Sequence, residues 1–178
     1  MVITHYYPQN SKPFQSITNL STLSQKKIIK TFIPNTNRAF KRFKDYNTYI
    51  SNRLKTEEWL YNDFTKLGGI PLIKHPIYFV YGESAYLRRC FGKNTLAMQL
   101  DITHIPNTDI SFTLRDSVQL YLSTIEPHNI YNIEGLNGWI NSYFANIDQL
   151  EKYMNQQHIY IEAQLWNPYW IIDSYPIL

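Results

Sequence analysis

The pattern of apolar and polar positions changes period several times along the chain, and each change predicts an element. Residues 2–6 are mainly β-branched and aromatic and predict a short strand. Pro8 and Pro13 bracket a turn-rich connection. Thr22 and Gln25 have capping-box spacing, so a helix is expected over 23–32, stopped by Pro34. The clearest period follows. Tyr46, Tyr49, Ile50, Leu54, Leu60, Phe64 and Leu67 recur at helical spacing, behind Asp45 as N-cap and ahead of Gly68, Gly69 and Pro71. They predict a helix over 46–67 whose apolar stripe packs on a sheet.

Beyond residue 70 the pattern favours strands. The apolar run 77–81 is of strand type, and 95–101, 110–114 and 118–122 are further candidates. A short helix is expected over 83–91, a helix in two pieces over 136–155, and a last strand over 159–166. Helices cluster instead of alternating strictly with strands. The expected fold is therefore α+β: one domain over 1–178, with a mainly antiparallel or mixed sheet and an N-terminal helical cluster packed on it.

Composition narrows the class. A chain of 178 residues with 44% hydrophobic and 17% charged residues is globular. A single cysteine, Cys90, allows no internal disulfide and fits a reducing cytoplasm. The start of the chain lacks the basic and long apolar regions of a signal peptide, and no run is long enough to span a membrane. A cytoplasmic protein is expected. The five histidines show no ligand spacing, and no metal is expected. Residues 1–93 hold 15 Lys/Arg against 5 Asp/Glu, a balance of +10, whereas 94–178 hold 2 against 9, a balance of −7. A basic face, if exposed, suits nucleic acid or an acidic partner. Within the basic half, 38–44 reads as a solvated face. The 15 Tyr, 9 Phe and 4 Trp fit a core with a half-wet surface, or a stacking surface for rings.

Phosphate-loop, dinucleotide, nucleophile-elbow and zinc-protease motifs are absent from the sequence. Cys90 beside Arg88 and Arg89 is either a thiol nucleophile or a buried small hydrophobe. Glu162 is the most suggestive charge, because alternation places Tyr160, Glu162 and Gln164 on one face of a strand. It lies either on a solvated edge or in a cleft beside an amide and a phenol, as a general base or sugar-hydroxyl ligand would. His5 is either a hydrogen-bonded structural histidine or a site residue. Asp116 and Ser117 follow a strand end, as working residues or as an ordinary capped turn.

Four segments together resemble the ADP-ribosyltransferase superfamily, and within it the DarT-like enzymes that modify nucleic acid. They are Ile3-Thr4-His5, His75-Pro76-Ile77-Tyr78-Phe79, Ser111-Phe112-Thr113 with Asp116-Ser117, and Glu162 on a late strand. The chain is also similar to bacterial proteins of unknown function with an H-P-x-Y-F…G-E-S stretch. The resemblance implies NAD as substrate and a nucleic-acid or protein acceptor. It implies His5 on the nicotinamide ribose, Tyr78 or Tyr81 near the nicotinamide ring, Ser111 and Thr113 in the cofactor site, and Glu162 as the catalytic carboxylate. The arginine expected after the P-x-Y-F strand is replaced by Tyr81-Gly82-Glu83-Ser84, and Arg88 is expected to substitute for it. The second acid or amide expected two residues before the glutamate is Tyr160 here, so a degenerate, non-catalytic relative is an open alternative. Two other readings also stand. One is a non-enzymatic interaction module, a toxin-neutralising or host-takeover protein. The other is a metal-dependent nuclease using Glu162, Gln164 and either Asp101 or Asp116.

Overall fold

The structure, a computed structural model, describes residues 1–32 and 37–174, so the Pro34 stop lies outside it. Its fold is α+β. Strands β1 (Val2–Pro8), β2 (Ile77–Tyr81), β3 (Thr95–Asp101), β4 (Ile110–Thr113) and β5 (Glu162–Leu165) form one sheet in the order β3-β1-β2-β5-β4. Every pairing is antiparallel. The helices are α1 (Thr22–Phe32), α2 (Tyr46–Lys66), α3 (Ala85–Phe91), α4 (Ser117–Leu122), α5 (Ile133–Tyr143), α6 (Ile147–Gln157) and α7 (Tyr169–Ser174). Two 3-10 helices, Ile17–Asn19 and Arg38–Asp45, flank α1.

The register divides the sheet into two chemically distinct sides. Phe79, Ala163 and Phe112 pair across β2, β5 and β4, as do Ile77, Leu165 and Ile110. This apolar side joins Leu136 and Ile140 of α5 and Leu150 and Met154 of α6 in the main core. Residues one step along point the other way. Thr4, Val80, Glu162 and Thr113 are in register across four strands, with Tyr78, Gln164 and Ser111 beside them. That second side is largely polar, and α2 lies over part of it.

α2 forms as expected. Asp45 accepts from the Thr48 N–H, and Gly68 at φ +87° provides the left-handed exit. A Cβ on Gly69 would sit 2.5 Å from the Phe64 ring, so only glycine fits that turn. The buried face differs from the expected apolar stripe. Leu54 and Leu67 are exposed, and the buried residues are Arg53, Thr56, Glu57, Leu60 and Phe64. Leu60 and Phe64 close over Trp166, whose ring stacks on Phe64 at 5.6 Å. The first half of the same stripe is polar.

Three further expectations are corrected. Residues 118–122 are helical and not a strand, because Asp116 Oδ1 accepts from the Val118 and Gln119 N–H groups and starts α4. The hydroxyl that caps the start of α1 belongs to Ser21, not Thr22, and accepts from Ser24 N–H. Gln25 instead donates to the Leu20 carbonyl and accepts from the Tyr46 hydroxyl. The stretch 38–44 is only partly solvated: Lys41 and Lys44 are exposed, whereas Ala39 and Phe40 are buried. α7 was not expected from the pattern. No helix among the described residues is long and apolar enough to cross a membrane.

Candidate functional site

The polar half of the α2 stripe builds one wall of the site. Arg53 and Glu57 lie one turn apart, and their side chains are 7% and 1% exposed. Arg53 Nε meets Glu57 Oε1 at 3.2 Å, and the guanidinium lies 3.6 Å over the Tyr78 ring. Glu57 Oε1 also accepts from Tyr78 Oη at 2.9 Å and Thr18 Oγ1 at 3.0 Å, and Oε2 from His75 Nδ1 at 2.6 Å. A buried ion pair is tolerable only when its remaining lone pairs and protons are satisfied, as they are here. Burial works against the charge on Arg53, but Tyr78, Glu162, Tyr49 and Glu57 more than offset it and hold the guanidinium protonated.

Glu162 opens β5, which is flanked by β2 and β4, so it does not stand on a solvated edge. It is 5% exposed. Its Oε1 accepts from the Ser117 hydroxyl, from Ser117 N–H at 3.4 Å and from Gln164 Nε2 at 3.2 Å. Arg53 donates to the same Ser117 hydroxyl at 3.3 Å. All of these donors use Oε1. Among the described residues no buried side-chain oxygen lacks a partner, so Oε2 faces open space. Burial pushes the Glu162 carboxyl up to about 7. Asp116 adds to that rise, while Arg53, Ser117 and Gln164 restrain it. Asp116 behaves oppositely. Burial would raise it, but Arg42, Arg53, the Gln119 N–H and the Tyr160 hydroxyl hold it below the usual carboxylate range.

That open space is a cavity of about 490 Å³. Its polar wall carries Glu162, Asp116, Tyr160, Tyr78, Arg53 and Arg42. Its apolar wall comes from α1, the 3-10 helix Arg38–Asp45 and α3, with Ile28, Phe40, Phe43, Leu87 and Phe91. Two guanidiniums, a carboxyl titrating near neutrality and an aromatic wall can hold an anionic ligand that contains rings, with one carboxyl oxygen free to act on it.

The residues singled out in the sequence divide sharply. Glu162, Tyr78 and His5 sit on β5, β2 and β1 and all line the cavity. His5, however, has no ring nitrogen free. Phe14 N–H donates to Nε2 at 2.9 Å, so Nδ1 carries the proton and donates to the Tyr78 carbonyl at 2.8 Å. Burial lowers its pKa to about 4 and keeps it neutral. His5 thus fixes the cavity wall and is not poised to bind a ribose. Tyr81 packs edge-on against Phe112 on the apolar side, away from the cavity. Ser111 and Thr113 are fully buried behind it: Ser111 donates to Gln164 and accepts from Trp166 Nε1, and Gln164 donates to Thr113. Arg88 is exposed on α3, and the arginine linked to Glu162 through Ser117 is Arg53. Cys90 is buried. Asp101 lies at the far edge of the sheet, bonded to the amino terminus and Thr103.

Arg53, Glu57 and Arg42 were the residues missed. A signal existed for two of them. Positions 53, 57, 60 and 64 continue the buried helical period backwards from Leu60 and Phe64 into an i, i+4 ion pair. Among the described residues no group of three or more His, Cys, Asp or Glu is placed to hold a metal ion. Compared with known proteins, the chain matches no family model, no curated protein and no solved structure.

Proposed function

We propose that the cavity binds NAD as a substrate and that the protein is an ADP-ribosyltransferase-like enzyme with Glu162 as its working carboxylate. The observation that carries this reading is the meeting of Tyr78 and Glu162, on two different strands, with Arg42 and Arg53 at one cavity. The donor set also suits the ligand. Arg42 matches its anionic diphosphate, Arg53 adds positive charge to the same wall, and the aromatic wall matches its rings. Bound NAD would supply a ribosyl group with nicotinamide as leaving group. Glu162, with Oε1 fixed by Ser117 and Gln164, presents Oε2 as a negative charge or a proton acceptor at the reacting centre.

The surroundings favour a polyanionic acceptor, nucleic acid over protein. Residues 1–44 contain no Asp or Glu. The segments that wall the cavity expose Lys12, Lys26, Lys30, Lys41, Lys44 and Lys93. The same basic surface supports a second reading, a macromolecule-binding module without turnover. The ring cluster of Trp139, Tyr143, Phe144 and Tyr153, with Tyr143 70% exposed, adds to it. The nuclease reading loses weight, since Asp116 and Glu162 face two arginines, a setting that disfavours a divalent cation.

The test is nicotinamide release from NAD, with melting temperature as the binding readout. NAD at about 100 times its dissociation constant should raise the melting temperature by about 5–10 °C. Glu162→Gln should keep the fold and lose nicotinamide release. The absence of both a shift and release at millimolar NAD would transfer the weight to the binding module.

A further inference from the structure

Among the described residues Arg42 is a guanidinium of the cavity whose pairing is incomplete. Its Nε donates to the Ala39 carbonyl at 2.7 Å, three residues back in the same 3-10 helix, and its guanidinium sits 5.7 Å from the centre of the Tyr49 ring. Among the described residues these contacts aim the side chain but engage only one of its three nitrogens by hydrogen bonding. Arg53, by contrast, is committed to Glu57, Ser117 and Tyr78. Asp116 is the acid that could neutralise Arg42, yet its oxygens are used elsewhere. Oδ1 accepts from Val118 and Gln119 N–H, and Oδ2 accepts from the Tyr160 hydroxyl. Asp116 therefore supports the charge on Arg42 from a distance without closing its fork. Phe40 and Phe43 come from the same 3-10 helix, and Phe91 meets Phe40 edge-on at 5.7 Å. A two-nitrogen donor fork beside an aromatic wall matches a phosphate attached to a planar base.

We propose that Arg42 anchors the diphosphate of a nucleoside diphosphate group whose base lies against the Phe40–Phe43–Phe91 wall. This deepens the NAD reading by naming the residue that holds the ligand's anionic middle, but it requires only the cavity. Ribosyl chemistry is left to Glu162, on a different wall element.

Calorimetric titration of ADP, adenosine and NAD into wild type, Arg42→Gln, Arg42→Lys and Lys152→Gln tests it. Lys152 is exposed on α6, away from the cavity, and controls for loss of one charge. Wild type is expected to bind ADP at least about tenfold more tightly than adenosine. Arg42→Gln should remove most of that difference and leave adenosine unchanged, Arg42→Lys should recover part of it, and Lys152→Gln should match wild type. Among the described residues the Arg42 side chain hydrogen-bonds only to its own 3-10 helix and beyond it faces the Tyr49 ring, so its variants are expected to fold, and circular dichroism checks this. Equal loss of ADP and adenosine in Arg42→Gln, unchanged ADP affinity in that variant, or no ADP binding by wild type would each overturn the proposal. NAD binding and turnover that ignore Arg42 would leave the transferase reading standing and remove this one. ADP binding that depends on Arg42, without any binding of NAD, would do the reverse.

Discussion

Replacing Glu162 by Gln isolates the effect of burying a carboxyl on the floor of the cavity. Burial raises its pKa from the ordinary 4.5 to about 7. The folded protein therefore holds this proton more tightly than the unfolded chain does. The resulting stability is fully present below about pH 4.5 and is lost as pH rises through about 7. A difference of 2.5 pKa units corresponds to about 3 kcal/mol. Glutamine cannot ionise, so the variant lacks this pH-dependent loss. Because the unfolded carboxyl is already largely ionised at pH 5, Glu162→Gln should gain on wild type by about 2–3 kcal/mol between pH 5 and pH 8, or about 5–10 °C in melting temperature for a chain of this size. Urea unfolding followed by tryptophan fluorescence across that range provides the measurement. His5 titrates in the same window with the opposite slope, because its pKa is lowered to about 4. It is present in both proteins and cancels in the difference. Asp116, held low, titrates below the window. A stability difference that is the same at pH 5 and pH 8 would refute a raised Glu162 pKa, and with it the carboxyl's readiness to exchange a proton near neutrality.

Two further substitutions probe the walls. Arg53→Met leaves Glu57 without its guanidinium partner in a buried setting and should cost about 3–5 kcal/mol in denaturant unfolding; a loss under 1 kcal/mol would mean the pair is not buried as described. His5→Ala removes the acceptor of Phe14 N–H and the donor to the Tyr78 carbonyl, at an expected cost of about 2–4 kcal/mol. The variant should also lose the stability that wild type gains as pH rises from about 4 to 6.5, so identical pH profiles would count against the buried neutral ring.

The α+β class, most strand positions and the long helix with its Asp45 cap were readable because each rests on local signals: period, cap and glycine stop. The failures came where one interaction outweighed a pattern. Val118, Leu120 and Leu122 suggest a strand, but the two backbone bonds accepted by Asp116 turn the segment into a helix. Leu54 and Leu67 fit an apolar stripe, but the sheet beneath α2 presents a phenol, an amide and a carboxyl, which demand Arg53 and Glu57. Glu162 and Tyr78 were visible because strand alternation is strict. Arg53 was not, since its partner Ser117 lies 64 positions away in sequence and only the tertiary fold joins them.

Glu57 carries a consequence for how this chain drifts. It is tied to Thr18, Arg53, His75 and Tyr78, from three separate stretches of sequence. Exchange of any one of the five leaves a buried donor or acceptor stranded, whereas coordinated replacement by apolar groups of similar volume can be nearly neutral. Joint exchanges are thus the tolerable route there, while a single exchange of exposed Lys26 or Lys41 strands no buried partner.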